Sequence, residues 1–194
     1  YELNESGLDG AEFVTANCFC RREALDFVGG FDEAFTAAWR EDSDLYFKLL
    51  RAPSPYPERV VRSDDALVVH PVRPAPWGVS LRQQEKSRYD ALLFKKHPDL
   101  YRRKIEPGVP WNYYGIVASS IVCIFALASG AAIVGWVAAG VWALLTATFL
   151  ARRLRRTSRD PLHVAEMAVT TPLIPFLSVF WRLEGAFRYR VAFF

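Results

Sequence analysis

Acidic side chains are concentrated in residues 29–47, GGFDEAFTAAWREDSDLYF, and two of them, Glu41 and Asp42, are adjacent in the chain. A carboxylate that lies within hydrogen-bond reach of a hydroxyl group can remove its proton as a general base. The same residue types are also common at a helix start, where a carboxylate caps free backbone N–H groups. Both interpretations fit Asp42, and the neighbouring elements have to be considered before choosing between them.

The elements around the acidic pair predict a mixed α/β domain over residues 1–75. Residues 12–21 alternate loosely between apolar and polar side chains, which predicts a strand, and residues 66–70 predict a second one. Residues 21–30 and 42–51 predict two helices, the first of them closed by a pair of glycines. In this arrangement the acidic pair begins the second helix.

Residues 76–106 predict a basic amphipathic helix. The stretch 73–104 has nine Lys and Arg against three acids, and its leucines recur near one face. Such a helix is typical of a surface that lies against anionic lipid headgroups. Residues 1–62, in contrast, have twelve acids against seven Lys and Arg. An acidic N-terminal part argues against nucleic-acid binding, which requires a basic stripe.

Residues 107–151 contain no charged side chain and are long enough for two membrane spans, which the sequence predicts to meet near Ser129–Gly130. Five arginines follow within residues 152–159, and the positive-inside rule places this end in the cytoplasm. Two spans return the chain to its starting side, so residues 1–75 are also predicted to lie on the cytoplasmic face of the inner membrane. The three cysteines have neither disulfide nor zinc spacing, which fits a reducing compartment.

Residues 152–194 predict a basic linker followed by an interfacial or re-entrant segment. The stretch 164–181 is apolar except for Glu166, but Pro172 and Pro175 interrupt it. Arginines flank this stretch on both sides, which favours a position at the membrane interface. A third crossing is the alternative.

The stretch TANCFCRREALDFVGGFDEAFTAAWREDSDLYFKL, residues 15–49, resembles the C-terminal half of the catalytic domain of family-2 inverting glycosyltransferases with the GT-A fold. Members of that family commonly show an Asn-containing strand, an Arg-rich helix start, GGFDE.F and then ED.DL..RL. The matching positions are Asn17, Arg21, Arg22, Gly29, Gly30, Phe31, Asp32, Glu33, Phe35, Glu41, Asp42, Asp44 and Leu45. Membrane segments after the catalytic domain are also similar to those of membrane-anchored members. The resemblance implies that residues 1–75 are the acceptor-side half of a GT-A domain.

The resemblance also implies roles for the acids. An inverting transfer is a single displacement at the anomeric carbon, so the acceptor hydroxyl must lose its proton as it attacks. Asp42 would be the general base, and Glu41 would position it or contact the acceptor. Asp32, Glu33 and Trp39 would bind the acceptor. A simple helix cap at Asp42 is the alternative without a catalytic role.

On the donor side, the resemblance implies that Asn17, Arg21, Arg22 and Arg82 face the nucleotide-diphosphate sugar. Arg82 lies where processive relatives have a QxxRW signature, from which the string QEKSRY departs in spacing and in its last residue. His70 would complete the site of a divalent metal, Mg²⁺ or Mn²⁺, although a histidine at a strand end is often structural. A solvated helix start is the alternative for the arginines.

Residues 1–194 do not contain the family's nucleotide-binding half, which would bind most of the metal through a DxD acid pair. Residues 42–44, Asp-Ser-Asp, formally match DxD, but they overlap the predicted base, and we interpret the match as a coincidence. We therefore expect a fragment of a membrane-anchored glycosyltransferase that is inactive alone, or a chain whose nucleotide-binding half is supplied by another chain. Its acceptor would be a cell-envelope glycan or a lipid-linked molecule. The alternatives are a non-catalytic, membrane-tethered interaction module that kept the same fold, and an unrelated two-span protein with a small acidic domain.

Overall fold

A computed structural model describes residues 13–53, 60–61, 63, 65–66, 68, 75–155 and 157–193. This part of the chain forms α-helices and two short 3-10 helices. The α-helices are α1 (Arg22–Val28), α2 (Glu41–Arg51), α3 (Val79–Gln83), α4 (Arg88–Lys96), α5 (Pro98–Lys104), α6 (Trp111–Ala128), α7 (Ala132–Leu154), α8 (Pro161–Thr170) and α9 (Ile174–Tyr189). The 3-10 helices are Thr15–Asn17 and Gln84–Ser87.

The predicted α/β fold is wrong, because the described residues contain no β-strand. In the first predicted strand, residues 12–21, Val14 and Cys18 have extended backbones (φ/ψ −139°/122° and −136°/128°), but a 3-10 turn separates them. A strand is stabilised by hydrogen bonds to a neighbouring strand, and no described segment supplies one here. The second predicted strand, residues 66–70, lies largely outside the described residues.

The sequence predicts two helices before residue 52, and the structure has two helices there, α1 and α2. Gly29 ends α1 at φ +74°, in the left-handed region that favours glycine. α2 begins at Glu41 with acidic side chains in its first turn and basic ones in its last, which complements the helix dipole. The inner face of α2 buries Leu45 and Phe47. The acidic pair therefore lies in the first turn of a helix that the core contacts of Leu45 and Phe47 hold in place.

Aromatic side chains from separate parts of the chain form one core. Phe35 precedes α2, Phe47 lies within it, Tyr101 belongs to α5 and Phe193 follows α9. Tyr101 and Phe193 meet edge to face with their ring centroids 5.5 Å apart, a favourable aromatic geometry. This core joins the segments before the apolar hairpin to the end of the chain.

Residues 76–106 form several short helices instead of the single amphipathic helix that the sequence predicts. The chain bends at His97 (φ −140°, ψ 60°), because Pro98 begins α5 and the residue before a proline is disfavoured in the helical region. Tyr89 and Leu93 of α4 are buried in the core, and α4 packs mainly against α9. The apolar face of this segment thus contacts protein.

α6 and α7 form an antiparallel apolar hairpin, and both are long and apolar enough to cross a membrane. The turn between them contains Gly130 at φ +80°. Gly135 lets the two helices approach, since a Cβ atom there would lie 2.5 Å from Leu127 Cδ2. The outward side chains of Phe125 and Trp136 are about 70% exposed, as expected for lipid-facing residues.

α8 and α9 follow the hairpin and are bent by 49° relative to each other. Pro172 lies in the bend, and Pro175 lies at the start of α9, where a proline is tolerated. The pair could cross a membrane only if both helices act as one broken span. The interfacial or re-entrant arrangement of this segment stays a prediction.

Gly185 marks a close contact between α9 and α4. A Cβ atom at this position would lie 2.6 Å from the backbone oxygen of Arg88 and 2.9 Å from its Cα. Because the obstacle is backbone, it cannot rotate away as a side chain would. The absence of a side chain at Gly185 is therefore a requirement of this helix packing.

We expect Gly185→Ala to destabilise the protein by about 1–3 kcal/mol, because the added methyl group must push α9 away from α4. Gly140→Ala is the matched control. Gly140 also lies in an apolar helix, its Cβ would meet nothing within 4 Å, and only the higher helix propensity of alanine acts there. Apparent melting temperatures in detergent, followed by tryptophan fluorescence, compare the variants. Equal melting temperatures would contradict the close contact.

Candidate functional site

The acidic pair follows directly on a residue with a strained backbone. Arg40 has φ +74°, in the left-handed region that residues other than glycine seldom adopt. Such a conformation costs about 1–3 kcal/mol and persists where surrounding contacts enforce it. Here Arg40 Nε donates to Asp90 Oδ1 at 2.5 Å, and the guanidinium lies 4.8 Å from the ring centroid of Trp39. These contacts fix the start of α2 relative to α4.

Asp90, the partner of Arg40, also lies within the electrostatic influence of Arg182 and Glu106. Burial raises the pKa of the Asp90 carboxyl, while the positive charges of Arg40 and Arg182 oppose the increase. Arg182 in turn donates from Nη2 to Glu106 Oε2 at 3.0 Å. Glu106 lies between α5 and α6, so the charges of Arg40, Asp90, Arg182 and Glu106 influence one another between the start of α2 and the start of the apolar hairpin.

Asp42 lies in the first turn of α2 and is half-buried. Its Oδ1 accepts hydrogen bonds from the backbone N–H of Ser43 at 2.7 Å and from the Ser43 hydroxyl at 3.3 Å. Neither bond involves Oδ2, which has no hydrogen-bond partner in the part of the chain that the structure describes. One oxygen is therefore held by the helix start, and the other can accept a proton donor from outside.

Glu41 is also half-buried, and its Oε2 atom is buried without a hydrogen-bond partner among the described residues. Burial raises the pKa of the Glu41 carboxyl, and the charge of the adjacent Asp42 adds to this increase. Nearby backbone N–H groups and the ammonium group of Lys86 oppose it. Burial therefore makes the Glu41 carboxylate more basic than an ordinary glutamate.

Trp39 lies beside the acidic pair between two cations. In addition to Arg40, the Lys86 ammonium lies 5.8 Å from its ring centroid, and Lys86 Nζ donates to Ala38 O at 3.3 Å. The indole Nε1 atom is buried without a partner in the described structure. Trp39 and Lys86 both lie close to Glu41, and nothing in the sequence indicates the place of Lys86. The predicted role of Trp39 in acceptor binding stays a prediction.

The other two predicted acceptor-binding acids are not joined to this group. Asp32 forms an ion pair with Lys96 at 2.5 Å and accepts the Ala34 N–H at 2.8 Å. The hydrogen bond from Lys96, followed by that from Ala34, lowers the pKa of Asp32. Glu33 is exposed. No hydrogen bond or ion pair in the described part of the chain connects either residue to the acidic pair.

Asp44 is a completely buried carboxylate for which the sequence suggests no role of its own. Lys96 Nζ and His97 Nε2 lie 2.6 and 3.0 Å from Oδ1, and Lys48 Nζ lies 3.0 Å from Oδ2. Burial alone would raise the pKa of Asp44, but hydrogen bonds from His97, Lys96 and Lys48 hold it far below its ordinary value. Because Lys96 also contacts Asp32, one ammonium group joins two carboxylates.

Only one of these contacts of Asp44 can be predicted from the spacing of residues in the sequence. Lys48 follows Asp44 by four residues, the spacing that brings two side chains together on a helix. Lys96 and His97 come from the junction of α4 and α5, about fifty residues away. The cluster ties α2 to this junction, and its geometry is that of a structural ion network.

The predicted donor-binding residues are exposed and dispersed. Asn17 Nδ2 donates to Ala66 O at 2.8 Å. Arg21 and Arg22 lie at the start of α1, and Arg82 lies on α3. No hydrogen bond or ion pair among the described residues brings them to the acidic pair, and a common donor site at these positions stays a prediction.

The predicted metal ligand, His70, lies outside the described residues. Within the described ranges, no group of three or more His, Cys, Asp or Glu side chains is placed to hold a metal ion. Asp32 and Asp44 approach a common point, but the ammonium group of Lys96 already lies between them. The described residues therefore do not fit a Mg²⁺ or Mn²⁺ site.

We expect Asp44→Asn to destabilise the protein by about 3 kcal/mol at neutral pH, because it removes the charge that the buried cluster needs. The folded-state pKa of Asp44 is depressed, so its stabilising contribution is present above an unfolded-state pKa of about 4 and is lost as the pH falls through the folded-state value. The free energy of unfolding of the variant should consequently fall less than that of the wild type between about pH 5 and pH 2.

Urea titrations in detergent at several pH values measure this difference. Glu33→Gln is the matched control, since Glu33 is exposed and makes no ion pair in the described structure. If the stability of the wild type and of Asp44→Asn decreases in parallel on acidification, the cluster does not act as described.

Comparison of the chain with protein-family models, curated proteins and solved structures found no match. A proposal for its function therefore rests on the geometry of the acidic pair and on the membrane helices.

Proposed function

We propose that the chain is part of a membrane-anchored, inverting glycosyltransferase that acts on a lipid-linked or cell-envelope acceptor. One observation carries this proposal. The adjacent carboxylates of Glu41 and Asp42 lie at the open end of α2, and the Arg40–Asp90 ion pair fixes that end to the helices that lead into the apolar hairpin. The residue roles come from the resemblance of residues 15–49 to family-2 glycosyltransferases, and the described residues lack the β-sheet of that family.

In the proposed reaction, Asp42 accepts the proton of the acceptor hydroxyl. The hydroxyl oxygen forms a bond to the anomeric carbon of the donor sugar as the bond from that carbon to the nucleotide diphosphate breaks. The proton passes to Asp42 Oδ2, while the hydrogen bonds from Ser43 hold Oδ1 in place. The nucleotide diphosphate leaves with the electron pair of the broken bond.

Glu41 and Trp39 support this step by holding the acceptor. Both side chains are half-buried, so the exposed part of each can contact the acceptor. The Glu41 Oε2 and Trp39 Nε1 atoms themselves are buried without a partner among the described residues. Lys86 adds a positive charge beside Glu41, which limits the repulsion between the two carboxylates.

The proposal assigns fewer residue roles to the binding of the donor than to the binding of the acceptor. A divalent metal would neutralise charge on the diphosphate leaving group, but the described residues do not form a site for it. Arg21, Arg22 and Arg82 are exposed cations that could contact the donor phosphates. The residue roles assigned above therefore concern only the acceptor hydroxyl and the sugar that carries it.

We further propose that the aqueous part lies on the cytoplasmic side of the inner membrane. The hairpin of α6 and α7 has two helices long enough to span a bilayer, and arginines follow α7 directly. Basic residues at the end of a span are retained on the cytoplasmic side. A nucleotide-sugar donor would be available in the same compartment.

The catalytic proposal is tested with Asp42→Asn in the gene product that contains this chain, reconstituted in lipid vesicles. UDP-glucose, UDP-N-acetylglucosamine and GDP-mannose, each radiolabelled, are supplied in turn with polyprenyl phosphate as the acceptor. We expect kcat to fall about 10²- to 10⁴-fold with little change in KM, because the proton is accepted only in the transition state. Glu41→Gln should mainly raise KM, since Glu41 is proposed to bind the acceptor.

Glu23→Gln is the control, because Glu23 is an exposed acid on α1 that makes no ion pair in the described structure. If Glu41→Gln abolishes kcat and Asp42→Asn does not, the base is Glu41 and the assignment made here is wrong. If the wild type transfers none of the three sugars, the transferase proposal is contradicted in favour of a membrane-tethered interaction module. Melting temperatures of the variants separate loss of function from loss of folding.

The proposed topology predicts opposite results for two reporter fusions. A green fluorescent protein placed after Arg159 should fluoresce, because that end of α7 lies in the cytoplasm. The same reporter placed after Gly130, in the turn of the hairpin, should remain dark when exported, and alkaline phosphatase at that position should be active. Equal results at the two positions would refute the hairpin topology.

A further inference from the structure

We propose that the end of α7 has a binding site for the phosphate headgroup of an anionic membrane lipid. A cavity of about 400 Å³ lies there, lined by Ala151, Leu154, Arg155, Arg159 and Val164. Its lining combines three apolar side chains with two guanidinium groups. This combination matches a molecule that has both an anionic and an apolar part.

The position of the cavity fits a lipid. α7 ends at Leu154, and its 23 residues reach across a bilayer core. The residues that follow a span lie at the level of the lipid headgroups. Arg155 and Arg159 therefore lie at the depth of the lipid phosphates, while Ala151 lies one turn inside the span.

The two arginines of the cavity are not engaged by protein groups. Neither Arg155 nor Arg159 makes a hydrogen bond or an ion pair in the part of the chain that the structure describes. The Oδ1 atom of the neighbouring Asp160 accepts the backbone N–H groups of Leu162 and His163 at the start of α8, and no ion pair joins Asp160 to either arginine among the described residues. Two arginines without an ion-pair partner in the described structure are suited to bind a phosphate group with their planar donors.

Arg153, at the same end of α7, has a structural role, because its guanidinium group is hydrogen-bonded to other parts of the protein. Its Nη1 donates to the hydroxyl oxygens of Thr170 and Thr171 at 2.9 and 2.7 Å, and its Nη2 donates to Ser80 Oγ at 3.4 Å. This side chain attaches α7 to α8 and α3. Arg155 and Arg159 have no such partners among the described residues, which leaves their donors for a ligand.

The apolar lining distinguishes a lipid from a free anion. Ala151 and Leu154 extend the apolar surface of α7, and Val164 faces them from α8. An acyl chain can lie along this surface while the phosphate contacts the arginines, whereas inorganic phosphate would use the arginines alone. The site goes beyond the proposed glycosyl transfer and does not depend on Asp42 or Glu41.

The site is tested by native mass spectrometry of the whole chain in detergent, with three probes. These are phosphatidic acid, phosphatidylcholine with the same acyl chains, and inorganic phosphate. We expect the wild type to bind phosphatidic acid in preference to the other two, and the double variant Arg155→Gln and Arg159→Gln to bind it about 30-fold more weakly. Ala151→Phe should also weaken binding, because it fills the cavity and leaves every charge in place.

The matched control is the double variant Arg152→Gln and Arg188→Gln, which removes the same charge from exposed arginines outside the cavity. Its affinity for phosphatidic acid should stay within about twofold of the wild type. An equal loss in both double variants would indicate diffuse attraction of the basic surface and overturn the proposal. Competition by inorganic phosphate as strong as that by phosphatidic acid, with no effect of Ala151→Phe, would show a free-anion site and contradict the lipid.

Discussion

The ion pair between Arg40 and Asp90 is the constraint on which the arrangement of this chain depends. Arg40 has a left-handed backbone, and its side chain forms an ion pair with Asp90. The carboxylate it meets is buried, and a buried charge is tolerated only when it is paired. The strain at one residue therefore sets the direction of α2, and with it the place of the two carboxylates at the helix start. The Asp44 cluster holds the same helix from its inner face.

Local signals in the sequence are sufficient for much of the helical architecture. The glycine pair after residue 28 predicts the end of α1, and the acids at 41–44 predict the start of α2. The uncharged run over 107–151 predicts two helices long enough to span a membrane, and the break between them occurs around Gly130. Each of these features depends on residues that are close together in the chain, and such residues can be read without knowing the fold.

The features that the sequence does not predict depend on distant partners. The alternation in residues 12–21 is compatible with a strand, but a strand also needs a neighbour, and alternation cannot say whether one exists. Nothing in the sequence indicates the left-handed backbone of Arg40, because its partner Asp90 lies in another helix. The sequence indicates candidate site residues that are close together in the chain, namely Trp39, Glu41 and Asp42. It does not indicate Lys86 or the partners of Asp44 at the junction of α4 and α5, because these are distant in the chain.

The absence of a side chain at Gly185 has a consequence for how the protein inserts into a membrane. α4 precedes the hairpin and α9 follows it, yet Gly185 of α9 touches the backbone of Arg88. Two segments in contact lie on one side of any bilayer that the chain crosses between them, so the number of crossings between them must be even. The hairpin satisfies this parity rule when both of its candidate spans, α6 and α7, cross. A chain that inserts only one of them would separate α9 from α4, so insertion of both would be a precondition for assembling the aromatic core.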